Sequence, residues 1–373
     1  MPSPQQSPGP LVSIVICNYN HGRFLRDAID SALAQTYGNV EVIVVDDGST
    51  DSSRAVIDEF AAKGALKALY QDNQGQCSAY NAGFAASAGD IVLFLDADDL
   101  YLPEIAERVV AAIDANTAKV HFRLSFIGPE GEWRAGQTPR VLPFGAVGHL
   151  LATKGVLYTS APGSGNAYAR RALANLFPLP VTEDKYCADF FTVYGSALNG
   201  TVVAVDAVLG RYRLHGSVDD EGSSLAFANA DRYNTPERLE ARIATFRSHV
   251  RRQLGLDLPP RLVSFSTQKQ AFVLDVLRDR RYLRRLSAGQ QQFADLWYAL
   301  RHSPDFSLLL KSCIAVWAVL VIVLPWAAAL PLARYVTNPA SRQGRGARSG
   351  GRVRGVSGFE SAGPHTGREG SGF

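Results

Sequence analysis

Apolar and polar positions in this chain change period several times, and the changes lay out its elements. Val12 to Cys17 is a continuous apolar run, the pattern of a strand buried on both faces. Asn18 to Gly22 reads as a turn. Arg23 to Gln35 then switches to helical spacing, with Phe24, Ala28, Ile29, Ala32 and Leu33 on one face. Glu41 to Ser49 is a second buried strand that ends in acid. Asp51 to Lys63 is helical, with Val56, Ile57 and Phe60 on one side. Ala65 to Tyr70 predicts a short strand, Ser78 to Ala88 a small-residue helix, and Asp90 to Leu95 another strand. Pro103 starts a helix that runs to about Ala115. Strands alternating with helices predict an α/β domain with a mainly parallel sheet.

Beyond Lys119 the regularity loosens. Val120 to Ile127 alternates like an exposed strand, and Gly128 to Gly131 looks like a turn. Pro143 to Gly165 is loop-rich, and Val202 to Val208 is a further strand. Gly222 to about Gln292 is helical in character, with Arg-rich turns around Arg278 to Arg285. Cys313 to Ala333 is apolar and uncharged. The expected organisation is a lead-in at 1–10, an α/β domain at 11–220, and a helical region at 221–311. A hydrophobic, membrane-associated segment at 312–335 and a disordered Gly/Arg-rich tail at 336–373 complete it.

The strand ends carry the chemistry. Leu93 to Asp99 reads LFLDADD, an apolar run closing on Asp96, Asp98 and Asp99. Carboxylates at the C-terminal lip of a parallel strand face a ligand crevice. Clustered carboxylates repel unless a cation sits among them, and Mg²⁺ or Mn²⁺ takes oxygen ligands while keeping positions open for phosphate. A metal-bound, phosphate-bearing substrate is the expectation. Capping of the next helix is the alternative, although a single Asp suffices for that. The first strand ends in Cys17-Asn18-Tyr19-Asn20 and the second in Asp46-Asp47-Gly48-Ser49. Tyr19 offers a face for a base to stack on. Asp46 or Asp47 can accept from a base N–H or a ribose hydroxyl, while turn formation explains the same residues more blandly.

Composition narrows the field. A net charge of +3 over 373 residues is too small to imply nucleic-acid binding. From Arg334 on there are seven Arg against Glu360 and Glu369, so the rest of the chain is slightly acidic. Four widely spaced cysteines, with no C-x-x-C pair, make a zinc site or disulfide framework a poor expectation and fit a reducing compartment. The N-terminal MPSPQQSPGP lacks the charged and apolar regions of a signal peptide, so the catalytic part is expected in the cytoplasm. Neither G-x-G-x-x-G after the first strand nor G-K-[ST] near any strand occurs, against a dinucleotide oxidoreductase and a P-loop ATPase.

Three stretches in order, VSIVICNYNHGRFLRDAIDSALAQTY, VEVIVVDDGSTD and NQGQCSAYNAGFAASAGDIVLFLDADD, resemble the family 2 glycosyltransferases of GT-A fold over roughly residues 11 to 110. The resemblance implies inverting transfer of a sugar from a nucleotide-sugar donor, with a UDP-sugar foremost. It implies that Tyr19 stacks on the base, Asp47 binds the base edge and Asp96 lies near the ribose. Asp98, with Asp99 beside it, would hold the divalent metal. Inverting transfer also needs a general base for the acceptor hydroxyl. Family members take it from a Glu-Asp pair or a lone Asp ahead of a Gly-containing turn and strand. Glu183-Asp184 looks like the pair, but Asp189 has the better spacing to Gly200 and is the preferred base. Ala188 stands where many members carry Glu. Arg211 to Gly216 resembles the Y-R-x-H segment that closes this domain. Arg213 there could neutralise the departing diphosphate and His215 could join the metal or phosphate, or both could simply fix the loop. His121, His149 and His302 read as structural.

Cys313 to Ala333 is about long enough to span a bilayer, yet both flanks are basic and Pro325 and Pro331 interrupt it. It can be read as a spanning helix, as a segment dipping into the inner leaflet, or as a helix packed on the catalytic domain. The expected partners are a nucleotide-sugar donor, a glycan or lipid-linked acceptor of cell-surface polysaccharide synthesis, and the cytoplasmic face of a membrane, with no nucleic acid. Two other readings compete. A sugar nucleotidyltransferase expects a Gly-rich basic loop after the first strand, which Asn18 to Gly22 does not supply. A catalytically silent scaffold expects nucleotide binding without turnover.

Overall fold

A computed structural model describes residues 9–215, 236–278, 280–303 and 306–337. Residues 1–8 of the expected lead-in, 216–235 of the middle region and 338–373 of the tail lie outside the described residues.

Eleven strands and twelve helices are described, in chain order. The first half runs β1 (Val12–Asn18), α1 (Gly22–Leu33), β2 (Val40–Asp47), α2 (Ser53–Ala62), β3 (Lys67–Gln71), α3 (Gln76–Ala86), β4 (Ile91–Asp96), β5 (Leu100–Tyr101) and α4 (Ile105–Ala112). Then come β6 (Thr117–Ile127), β7 (Trp133–Thr138), α5 (Val147–Lys154), β8 (Val156–Leu157), β9 (Asn166–Ala169), α6 (Arg170–Ala174), α7 (Ala188–Ser196) and β10 (Thr201–Arg213). The remainder is α8 (Pro236–Leu254), β11 (Val263–Ser264), α9 (Phe265–Arg278), α10 (Tyr282–His302), α11 (Leu308–Val323) and α12 (Trp326–Thr337).

One sheet dominates, in the order β3-β2-β1-β4-β9-β6-β10-β5, with β7 paired to β6. The first four strands are parallel to one another, and β10 is parallel to β6. β9 runs antiparallel between β4 and β6. The continuous apolar runs follow from burial on both faces. Ile14, Ile16, Val44, Leu93 and Leu95 meet Leu25, Ile29, Ile57 and Val109 on one side. Their neighbours Val15, Val45, Val92 and Phe94 meet Tyr80, Phe191 and Phe246 on the other. Successive strand residues point to opposite faces, so a strand covered twice is apolar almost throughout, and the buried Ser13 of β1 is held by hydrogen bonds to Glu41 and the Gly89 N–H. The small-residue composition of α3 has a similar cause. A Cβ on Gly83 would lie 2.3 Å from Val15 Cγ1, so the helix can sit this close to β1 only with glycine there.

β6 departs from its sequence pattern. The alternation suggested an exposed strand, but β6 lies inside the sheet between β9 and β10, and most of it is buried. Its apolar positions Val120, Phe122 and Leu124 enter the first core. Its polar positions are buried as well, beneath the segment expected to be loop-rich. Lys119 Nζ donates to Ser160 Oγ (2.7 Å) and Asn166 Oδ1 (2.9 Å), and His121 Nε2 meets the Pro143 carbonyl oxygen (2.8 Å). Period-2 polarity marks a face whose polar groups need partners, and here the covering segment provides them for Lys119 Nζ and His121 Nε2. That covering segment also contains α5, which ends on Gly155 in the left-handed region at φ +64°.

The C-terminal helices divide. α8 closes the second face of the sheet through Phe246 and Val250, and its His249 Nε2 meets the Leu176 carbonyl oxygen (2.8 Å). α9 to α12 form their own core from Phe272, Val276, Leu296, Trp317, Val321 and Ala333. The apolar run expected from the sequence is two helices, α11 and α12, broken at Leu324 and Pro325. No helix among the described residues is long and apolar enough to cross a membrane.

Candidate functional site

Parallel register brings the polar strand ends to one rim. Asn18 at the end of β1 pairs with Asp46 of β2, and Cys17 pairs with Asp96 of β4. Asn18 Nδ2 donates to Asp46 Oδ1 (2.7 Å) and Ser49 Oγ (3.0 Å), joining the first two strand ends. Tyr19 follows immediately and is 40 % exposed, so its ring is available at the rim. Asp47 is buried and faces the β3–α3 connection. Its carboxylate accepts from Gln71 Nε2 (2.7 Å), Gln74 N (2.9 Å) and Gly75 N (2.8 Å), which fixes the loop that leads into α3.

The three acids that close β4 occupy different environments. Asp99 is fully buried. One of its oxygens accepts from the Arg213 backbone N–H (2.9 Å) and the other from Ser164 Oγ (2.7 Å). It therefore ties the end of β10 to the Gly163–Gly165 turn. Asp98 meets His215 Nε2 through Oδ2 (2.5 Å). Burial pushes the Asp98 carboxyl up, but the His215 hydrogen bond and the charges of His21 and His215 hold it below its ordinary value. Asp96 has no such cation. Burial, then the neighbouring Asp98 and Asp189, push its carboxyl up to about 7.

Arg213, expected to face a diphosphate, is 3 % exposed. Its guanidinium donates to the carbonyl oxygens of Asp98 (2.8 Å), Gly128 (3.2 Å) and Pro129 (3.1 Å) and lies over the Phe24 ring at 4.6 Å. These contacts hold the segment that bears Asp98 and His215. His215 itself remains at the surface, with ring centroids 6.1 Å from His21 and 5.5 Å from Phe24.

Asp189 lies in the first turn of α7 and comes to the same rim. A Cβ placed on Gly163 would lie 3.4 Å from Asp96 Oδ2 and 3.5 Å from Asp189 Cβ, so these two acids flank one glycine. Burial raises the Asp189 carboxyl, with Arg242 opposing the shift. Asn166 fixes the glycine turn from below, donating to the carbonyl oxygens of Ala161, Pro162 and Gly163. Asp184 is placed differently. It accepts from Arg242 Nε (2.9 Å) and Nη2 (2.7 Å), an ion pair largely shielded from solvent.

Sequence reasoning missed several residues that organise this rim. Gln76 bridges its two halves, with Nε2 at 3.4 Å from Asp96 Oδ1 and Oε1 accepting from Ala188 N (3.1 Å). Ser164, His21 and Arg242 were missed too. Ser164 at least lies in a Pro-Gly-Ser-Gly turn, a local signal. Gln76 and Arg242 carry none, because their partners are distant in the chain.

No three His, Cys, Asp or Glu side chains form a metal cage among the described residues. Asp98 and His215 are compatible with a cation held on few protein ligands, since Mg²⁺ is usually bound by one or two carboxylates plus substrate phosphates. The acid-rich rim beside them, with Asp96 unneutralised, fits the same charge.

Residues 13–177 match the family model for Glycosyl transferase family 2. An uncharacterized glycosyltransferase of Nostoc is 36 % identical over 212 residues, covering 55 % of this chain and 65 % of that protein. One from Rickettsia typhi is 42 % identical over 106 residues, covering 28 % and 33 %. The chain thus spans less than two thirds of the length of each. Among solved structures, Staphylococcus aureus TarS 1–349 in complex with UDP-GlcNAc superposes with a TM-score of 0.52 at 16 % identity, covering 88 % of this chain and 90 % of that one. That likeness concerns the fold. With the matched sequence, the sheet order and the acid rim together, residues 13–177 of this chain form a family 2 glycosyltransferase domain on a GT-A fold.

Proposed function

We propose that this chain is an inverting glycosyltransferase. It moves a sugar from a nucleotide-sugar, foremost a UDP-sugar, to a hydroxyl of a glycan or lipid-linked acceptor in cell-surface polysaccharide synthesis. The observation that carries this reading is the approach of Asp96 and Asp189 to the same point beside Gly163. That approach supports a base beside the rim on which a nucleotide diphosphate would lie.

In this reading Tyr19 stacks on the base, and Asp47 and the loop it fixes line the base pocket. Asp96 serves the ribose side. Asp98 and His215 hold a divalent cation, Mg²⁺ or Mn²⁺, which when bound neutralises diphosphate charge. Arg213 and Asp99 act beneath them by fixing the Asp98–His215 pair. Asp189 accepts the proton of the acceptor hydroxyl. The oxygen then attacks the anomeric carbon opposite the departing diphosphate, and the configuration inverts. A raised carboxyl suits this task, since a base works best when its pKa approaches the operating pH. The domain works at the cytoplasmic face of a membrane, contacted through the 312–335 segment.

Release of nucleoside diphosphate from a panel of nucleotide-sugars tests the reading. UDP-GlcNAc is the natural first donor, because the TarS structure contains it. A protein that binds donors tightly but turns over none of them, with any simple sugar or lipid acceptor, would be a scaffold instead.

A further inference from the structure

We propose that the outer face of α11, with the basic residues at its two ends, docks flat on an anionic lipid bilayer. The inference deepens the membrane contact proposed above and is independent of the transfer chemistry.

α11 is apolar on both sides. Ile314, Trp317, Ala318, Val321 and Ile322 face inward and pack with α9, α10 and α12. The outward positions Val316, Val319, Leu320 and Val323 are 59, 46, 38 and 43 % exposed. They recur at spacings of three and four, so they form one stripe along the helix. A water-facing helix places polar residues on such a stripe, and a long exposed apolar stripe marks an interaction surface.

Charge selects the partner. Residues 280–337 hold seven Lys and Arg against Asp295 and Asp305. Lys311 at the start of α11 donates to the Arg301 carbonyl oxygen (3.0 Å), which sets its ammonium at the C-terminal turn of α10. At the other end the Arg280 guanidinium lies 4.4 Å from the centroid of the Trp326 ring, just past the α11–α12 break. An apolar stripe between basic ends, with Trp at the boundary, matches a helix lying in the interface of an anionic leaflet. Spanning does not fit. The 16 residues of α11 reach ~24 Å, short of a hydrocarbon core of ~30 Å. The chain's own residues 338–373 are a poor cover, because six Arg against two Glu would face a basic rim and the segment has few large apolar residues. A second copy would oppose like charges in the same way.

Flotation of the full chain with vesicles is the test. Phosphatidylcholine with roughly 30 % phosphatidylglycerol is compared with phosphatidylcholine alone. Wild type should float with the anionic vesicles, less with the neutral ones, and less when salt is raised from about 0.1 to about 1 M. Val316→Glu with Leu320→Glu should lose more than about tenfold of the binding while donor turnover in vesicle-free buffer is unchanged. If the double variant floats as well as wild type, membrane contact stands but this face is not the contact. If wild type floats with neither vesicle, the membrane contact falls too. A wild-type dimer that the double variant splits, with no flotation, would give the face to a second copy and overturn the proposal.

Discussion

Arg242 of α8 holds Asp184 with two nitrogens, at 2.9 and 2.7 Å from the same carboxylate oxygen, while Asp189 five residues later reaches the rim beside Asp96. The two acids that the sequence offers as a base thus have different surroundings. Asp184→Asn should cost about 3 kcal/mol of stability, because it removes the carboxylate charge facing a buried guanidinium. Asp189→Asn should lower turnover on the order of 10²- to 10⁴-fold with donor affinity kept. Chemical denaturation and steady-state kinetics of the two variants separate these effects. The reverse pattern would make Asp184 the base.

The raised carboxyl of Asp189 has a pH consequence. A base must be ionised, so kcat/KM should fall as pH drops through its raised pKa. The acid limb should therefore lie above the ordinary carboxylate value of about 3.9. Arg242→Gln removes the charge that opposes the shift and should move the limb to still higher pH. A pH–rate profile of both proteins checks the sign.

Asp98 and Asp99 should separate in the same manner. Asp98→Asn leaves the buried hydrogen bonds of Asp99 intact and should weaken divalent-dependent UDP binding by more than about tenfold. Asp99→Asn should instead cost about 1–3 kcal/mol of stability, since a buried carboxylate holds both Arg213 N and Ser164 Oγ. Calorimetric UDP titration with and without Mn²⁺, together with thermal unfolding, measures each. Equal losses of metal dependence in the two variants would place both acids on the cation.

Gly163 should be sensitive to size. A methyl there meets Asp96 Oδ2, the Tyr80 hydroxyl and Asp189 at ordinary contact distances, so Gly163→Ala should fold and retain most activity. Gly163→Leu would fill the gap between the two acids and should lower kcat/KM at least about 100-fold, as expected when reacting groups are displaced by about an ångström. Kinetics and circular dichroism of the pair decide.

Lys119 gives a prediction about stability alone. Burial holds its ammonium well below the usual lysine range. The unfolded chain then binds the extra proton, so stability should rise with pH from the lowered value up to about 10.4. Lys119→Met should remove that rise and be neutral or stabilising near pH 7. Asn166 Oδ1 still accepts from Ser160 Oγ (3.1 Å), so the change leaves that acceptor paired. Urea unfolding at several pH values tests this.

The α/β class and the rim of strand ends were legible in the sequence. A parallel strand covered on both faces is mostly apolar, and its C-terminal end is where polar residues can reappear. Val12 to Cys17 followed by Asn18, and Leu93 to Leu95 followed by Asp96, show this directly. Local pattern misjudged β6, because alternation reports two kinds of face and not whether the polar face is covered. Only the folded chain buries Lys119 and His121 under the 143–166 segment.

The site divides along the same line. Residue types pointed to Asp96, Asp98 and Tyr19 as candidates, since each lies at or just past the end of a strand. The partners of those residues come from far along the chain. Gln76 spans to Ala188, Ser164 to Asp99, Arg242 to Asp184 and His215 to Asp98. Hydrogen bonds and ion pairs act over a few ångströms in space and carry no signature in sequence spacing. Which acid is buried, which is paired and which faces the rim was therefore decided by tertiary packing alone.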